Sequence, residues 1–97
     1  MATRNLILIE TLCSRYEIEF SFIDALNSEG LIMIETIKRQ KYIHQDRIND
    51  LEKMIRLYHE LNVNIEGIDI IFNLLQKKIE LQNEVNNLRN RLRLYED

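Results

Sequence analysis

The chain is 97 residues long, room for one domain or for one domain with an extension. Proline is absent and glycine occurs twice, which excludes the turn-rich sandwiches, barrels and small disulfide scaffolds. With 45% apolar and 30% charged residues it reads as a folded helical protein, and a net charge of −3 excludes the strongly basic class of nucleic-acid binders.

At the N-terminus the apolar run Leu6-Ile7-Leu8-Ile9 meets Glu10 at once, too early for the core of a signal peptide. No stretch approaches the roughly 18 consecutive apolar residues of a membrane span. Cys13 is the single cysteine, so no intrachain disulfide forms. Its helical spacing among hydrophobes reads as a small core residue rather than a reactive thiol. These features predict a cytoplasmic protein with no membrane partner.

Ile9, Leu12, Cys13 and Tyr16 recur at helical spacing and predict a first helix from Ile9 to Tyr16. Glu17-Ile18-Glu19 breaks that pattern. Phe22, Ile23 and Leu26 form a second apolar stripe, and Gly30 stands where a helix C-terminus favours left-handed backbone. Two short helices joined by a brief turn have the silhouette of a helix-turn-helix. Leu31-Ile32-Met33-Ile34 and Tyr42-Ile43 are β-leaning runs around Lys38-Arg39-Gln40-Lys41, which predicts a small two-stranded wing with no glycine at its turn.

From Gln45 to Leu61 the helical signal returns, with Ile48, Leu51, Met54, Ile55, Tyr58 and Leu61 on one face and Asp46 in the first turn. Asn62-Val63-Asn64 interrupts, and Asn64 is placed to cap the final helix. That helix runs from Ile65 nearly to the C-terminus, and its character changes midway. Between Ile65 and Leu81 the apolar face is broad, comprising Ile65, Ile68, Ile71, Phe72, Leu74, Leu75, Ile79 and Leu81, and is expected to pack into a core. Beyond it the face narrows to Leu81, Val85, Leu88, Leu92 and Tyr95 in alternating steps of four and three, the seam of a coiled coil, with Lys78 one step upstream. A helix of that kind needs a partner, most economically the same helix of a second copy, the alternative being a tail folded back on its own domain. The expected division is a domain over residues 1–64 and a helix over 65–97, its first half packed on the domain and its second half dimerising. The e and g positions Lys77, Gln82, Glu84, Arg89 and Arg91 leave parallel and antiparallel pairing open.

Chemistry-bearing motifs are missing: there is no glycine-rich phosphate loop, CxxC, HExxH or GxSxG. His44 and His59 have no second ligand at metal spacing, and Ser14, Ser21 and Ser28 have no local histidine. His44 reads as a cap of the third helix. Arg56 and Glu60 sit four apart, as a helix-surface pair would. Arg89, Arg91 and Arg93 suit the negative end of the last helix dipole. No enzyme activity, cofactor, metal or small-molecule substrate is expected. Charge is uneven, however. Residues 1–37 carry Glu10, Glu17, Glu19, Asp24, Glu29 and Glu35 against Arg4 and Arg15, and the remainder is close to neutral.

Helix, turn, helix ending in Glu29-Gly30-Leu31-Ile32, wing, third helix and long terminal helix: this order resembles the MerR-type winged helix. The second helix of that family reads G-V-S-x-R-T-L-R-Y-Y-E-x-x-G-L-L, and it lies on Glu17 to Ile32 without gaps. Ile18, Ile23, Gly30, Leu31 and Ile32 match in type. The departures concern DNA, for the two arginines fall on Ser21 and Asp24 and the paired tyrosines on Ala25 and Leu26. No Lys or Arg occurs between Glu17 and Glu35. A recognition helix gains affinity by neutralising phosphates spaced about one charge per 1.7 Å, so an acidic surface there is repulsive to DNA.

Within that fold the chain is similar to the chaperone modulators of the CbpM type. The similarity is carried by Ile55-Arg56-Leu57-Tyr58-His59-Glu60-Leu61, by Gly67-Ile68, and by Leu88-Arg89-Asn90-Arg91-Leu92. An aromatic-proline pair before the glycine is replaced by Ile65-Glu66. The resemblance implies an all-α winged helix-turn-helix with a small β-wing and a long C-terminal coiled-coil helix. It implies a homodimer and a non-enzymatic regulator that binds the J-domain of a DnaJ-like, CbpA-type co-chaperone and inhibits its action with Hsp70. An acidic face suits the basic helix that J-domains present, which nominates Glu17, Glu19, Asp24 and Glu29 as contacts, with Arg56, His59 and Glu60 nominated by the motif match. The alternatives are a MerR-like DNA-binding transcriptional regulator using Lys38, Arg39 and Lys41 of the wing, and a coiled-coil adaptor with an unrelated partner.

Overall fold

A computed structural model of the chain, describing residues 5–96, places in order β1 (Leu6–Leu8), α1 (Ile9–Tyr16), α2 (Phe20–Ser28), β2 (Ile34–Ile37), β3 (Gln40–His44), a 3-10 turn (Gln45–Arg47), α3 (Ile48–Glu60) and α4 (Ile65–Glu96). The two short helices and the turn between them fall where the apolar spacing predicts. The molecule is mostly helical, but the wing is larger than expected: an antiparallel sheet of three strands in the order β1-β3-β2. Ile43, on the central strand, faces Ile7 on one side and Ile34 on the other. A three-residue strand leaves no periodicity to read, and its pairing partner lies some 36 residues away. The Leu31–Met33 stretch is not strand; Leu31 and Ile32 turn inward and are buried in the core.

The wing hairpin closes without glycine. Lys38 and Arg39 both take left-handed backbone, φ 50° and 67°, between the paired Ile37 and Gln40. Two-residue hairpins favour this geometry because it matches the twist of the strands, and Asn-Gly adopts it with the least strain. Replacing the pair as Lys38→Asn with Arg39→Gly should therefore stabilise the fold by about 1 kcal/mol, or several degrees in Tm by thermal denaturation. An unchanged or lower Tm would show that the turn carries no strain.

The core takes one or more residues from every helix and from the central strand. Leu12, Ile23, Leu26, Ile43, Leu51, Met54 and Ile68 are fully enclosed, and among the described residues no polar side chain is buried. Tyr16 Oη donates a 2.7 Å hydrogen bond to Glu52 and ties the end of α1 to α3, a bond that holds the phenol above its ordinary pKa. The Cys13 thiol is also pushed up, by burial first and by Glu10 second, which suits the inert role its spacing predicts. His44 ends β3 with Nδ1 2.8 Å from the Asp46 carboxylate, and Arg47 pairs with Asp50 at 3.3 Å. His44 Nδ1 also accepts the Asp46 N–H at 3.3 Å and so caps the 3-10 turn, and among the described residues the expected Arg56–Glu60 pair does not form.

Asn64 caps α4 as its sequence predicts, its Oδ1 accepting the Gly67 N–H at 2.8 Å. Gly67 fits closely there, since a Cβ would stand 2.7 Å from Val63 Cγ1 and 3.1 Å from the capping oxygen, and the Val63 side chain would have to move. From this start α4 continues unbroken for 32 residues, about 48 Å at 1.5 Å per residue. The radius of gyration is accordingly 17.8 Å, against about 12.5 Å for a compact chain of this length. Within the single chain the broad face expected over Ile65 to Leu81 is covered only in part. Only Ile68 is buried and Ile65, Ile71 and Phe72 are half-buried, while Leu74, Leu75, Ile79 and Leu81 are exposed. The helix leaves the core near Phe72, and farther on its Leu75, Ile79 and Gln82 border a groove with Asp50 and Lys53 of α3. It does not fold back on its own domain.

Candidate protein-docking face

In α2, Phe22, Ile23 and Leu26 point into the core, which turns Ser21, Asp24 and Ser28 outward. Ser28 Oγ donates to the Asp24 carbonyl at 3.0 Å. Glu29 caps the helix, exposed, its N–H donating to the Ala25 carbonyl. With Glu17 and Glu19 at the other end, the outward surface of this helix and its entry turn carries four carboxylates. None is ion-paired among the described residues.

The two groups of nominated contacts partly converge. Glu17, Glu19 and His59 line one cleft of about 330 Å³ between the α1–α2 turn and the end of α3. Its floor and wall are aromatic. Phe22 and Tyr58 have ring centroids 4.5 Å apart, and His59 meets Tyr58 edge-on at 5.4 Å. Ser21 and Ala25 form the α2 side, Ile65 of α4 closes another side, and Ser21 Oγ lies 3.4 Å from a Glu19 carboxylate oxygen. Asp24 and Glu29 lie farther along α2, outside the cleft. Arg56 and Glu60 are exposed on α3 and do not line it either.

Sequence reasoning put Phe22 and Tyr58 on the apolar faces of their helices, gave neither a role in the site, and so missed the aromatic wall. Tyr58 is 40% exposed, because the last turn of α3 projects past the hydrophobic contacts that bury Leu51 and Met54. A signal was present nonetheless. Ser21 and Ala25 are small where the MerR pattern has Arg and Tyr, and small residues on that side leave a hollow beside whatever Phe22 packs against. Glu17, which falls on the glycine of the same pattern, takes left-handed backbone at φ 54° and ψ 47°. A side chain at such a position costs about 1 kcal/mol relative to glycine.

On the other side of α2 the charge reverses. Lys38 and Arg39 are exposed at the wing tip, and Lys41 Nζ stands 4.7 Å over the ring of Phe20. The expected dimerisation residues Leu81, Val85, Leu88, Leu92 and Tyr95 are all exposed on the projecting part of α4. Among the described residues, no group of three or more His, Cys, Asp and Glu side chains is arranged to hold a metal ion. Among the described residues, no helix is long and apolar enough to cross a membrane.

Compared with known families, the chain matches the one described as MerR HTH family regulatory protein, over residues 7–90. No curated protein and no solved structure matches it significantly.

Proposed function

The chain belongs to the MerR family of helix-turn-helix regulatory proteins, and from that premise we propose that its ligand is a protein rather than DNA. It works as a non-enzymatic chaperone modulator of the CbpM type, docking the J-domain of a DnaJ-like co-chaperone and keeping it from Hsp70. The observation that carries this reading is the electrostatics of α2. The helix that would enter the major groove exposes Ser21, Asp24 and Ser28 and ends in Glu29, without one cation from Glu17 to Glu35. Such a surface repels phosphates and attracts a basic helix. The Ile55–Leu61 and Gly67-Ile68 resemblance supplies the class of partner. The exposed stripe on α4 supports a homodimer, with two docking faces per assembly. Arg56 and Glu60 flank the cleft on α3 as secondary contacts.

Charge reversal tests the face. Asp24→Lys with Glu29→Lys should weaken binding of a J-domain at least about tenfold by isothermal titration calorimetry, since like charges across an interface cost several kcal/mol. An unchanged affinity removes this face, and no binding by the unaltered protein removes the partner. The DNA-binding alternative rests on Lys38, Arg39 and Lys41. It predicts affinity for duplex DNA that falls steeply with salt, so tight salt-dependent binding would return the chain to the transcriptional regulators.

A further inference from the structure

We infer that the cleft beside α2 is a seat for a single arginine side chain of the partner protein, its guanidinium laid on the Tyr58–Phe22 wall and held by the Glu17 and Glu19 carboxylates. This deepens the reading of the chain as a J-domain modulator and rests on it. The wall is Tyr58, 40% exposed and backed by the buried ring of Phe22 at 4.5 Å between centroids, so the exposed part of Tyr58 is the aromatic surface a flat cation can meet. The two carboxylates flank buried Ile18 on the α1–α2 turn and line the same cleft, and among the described residues neither has a basic neighbour within ion-pair distance. Their charge is therefore available to a ligand. Helix α2 already shows the preference nearby, where Lys41 sits over the ring of Phe20. An arginine fits better than a lysine because its guanidinium is planar, weakly hydrated and forked toward two acceptors.

Two local features would be costs without such a ligand. Glu17 occupies left-handed backbone where glycine would be relaxed, and the strain places a carboxylate at the mouth of the cleft. Ser21 and Ala25 leave the hollow unfilled on the α2 side. The residues that withdraw α2 from DNA thus also open the seat.

The test uses the full-length chain and a J-domain. Tyr58→Leu and the pair Glu17→Gln with Glu19→Gln should each lower J-domain affinity about tenfold or more. Ser21→Arg should do the same by placing a guanidinium of the chain's own in the seat. Glu17→Gly should weaken binding while raising Tm, a combination that loss of structure cannot produce. The inference is overturned if the J-domain binds and all four variants stay within twofold of the unaltered protein. It is also overturned if Tyr58→Leu weakens self-association, because a second copy would then be the occupant. If the J-domain does not bind at all, the proposed function fails, and the seat is judged by a second probe. A short amphipathic helical peptide with one central arginine should shift the Tyr58 and His59 ring resonances, and its lysine counterpart should do so much less. Equal shifts, or none, would refute the seat on its own terms.

Discussion

Leu88→Glu is expected to abolish self-association. In the single chain Leu81, Val85, Leu88, Leu92 and Tyr95 lie on one stripe of α4 and are between 45% and 87% exposed. A helix of 32 residues that is exposed over residues 81–95 draws little stability from its own domain, and isolated helices are marginal in water. Pairing along the stripe with the same stripe of a second copy would bury these side chains at steps of four and three, the spacing that keeps a seam facing its partner. Each buried leucine contributes about 2 kcal/mol, and Leu88→Glu removes two of them per dimer, roughly a thousandfold in the dissociation constant before charge repulsion is added. Sedimentation velocity at micromolar concentration should show a monomer for Leu88→Glu. Asn83→Glu, on the outer face of the same helix, should leave a dimer. If both variants sediment alike, the stripe is covered by something other than a second copy.

Which parts of this molecule could be read in advance depended on how far apart the interacting residues lie. The spacing of Ile9, Leu12 and Tyr16, and of Leu51 and Met54, is local and periodic, and these helices lie where the pattern puts them. β1 has neither property: three residues pair with a strand far along the chain, so only its apolar character was visible. The hairpin at Lys38 and Arg39 was legible from the β-leaning runs on either side, but its turn geometry was not, since two cations there occupy backbone that glycine and asparagine usually advertise. In α4 the pattern was legible and its meaning was not. Leu75 and Ile79 continue the face of Ile68 while Leu74 and Leu81 begin a second one, but periodicity does not say whether a face is covered by its own domain or by another chain.

The docking face divides in the same way. The acidic character of α2 needed no structure, because charge is countable. That Glu17 and Glu19 share a cleft with His59 required the fold, which brings the start of α2 against the end of α3. The aromatic wall needed the fold because Phe22 is core, and Tyr58, packed on it at 4.5 Å between ring centroids, stays 40% exposed.

Ile68→Ala should produce the largest loss of stability tied to the function of the molecule. Ile68 is the one fully buried residue of α4 among those described, and it stands in the first turn of the helix beside the Asn64 cap. Truncating a fully enclosed isoleucine costs the transfer of three carbons plus the cavity they leave, about 2–4 kcal/mol. That is a large share of the 5–15 kcal/mol that holds a domain of this size, and it corresponds to a fall of at least about 8 °C in Tm. The loss should not be uniform. Ile65, Phe72 and Ile68 are what attach the projecting helix to the head, so amide exchange should quicken first in the opening turns of α4. The distal half should stay protected if it is paired with a second copy. The attachment also sets the side of the cleft formed by Ile65. Partner binding in Ile68→Ala should therefore weaken even at temperatures where the head remains folded, whereas Leu88→Glu, far along the helix, should leave the intrinsic affinity of each face alone. A stability change below 1 kcal/mol in Ile68→Ala would mean that α4 is held by its cap and by Phe72, and that the head and the dimerising stripe are joined more loosely than a single buried pin implies.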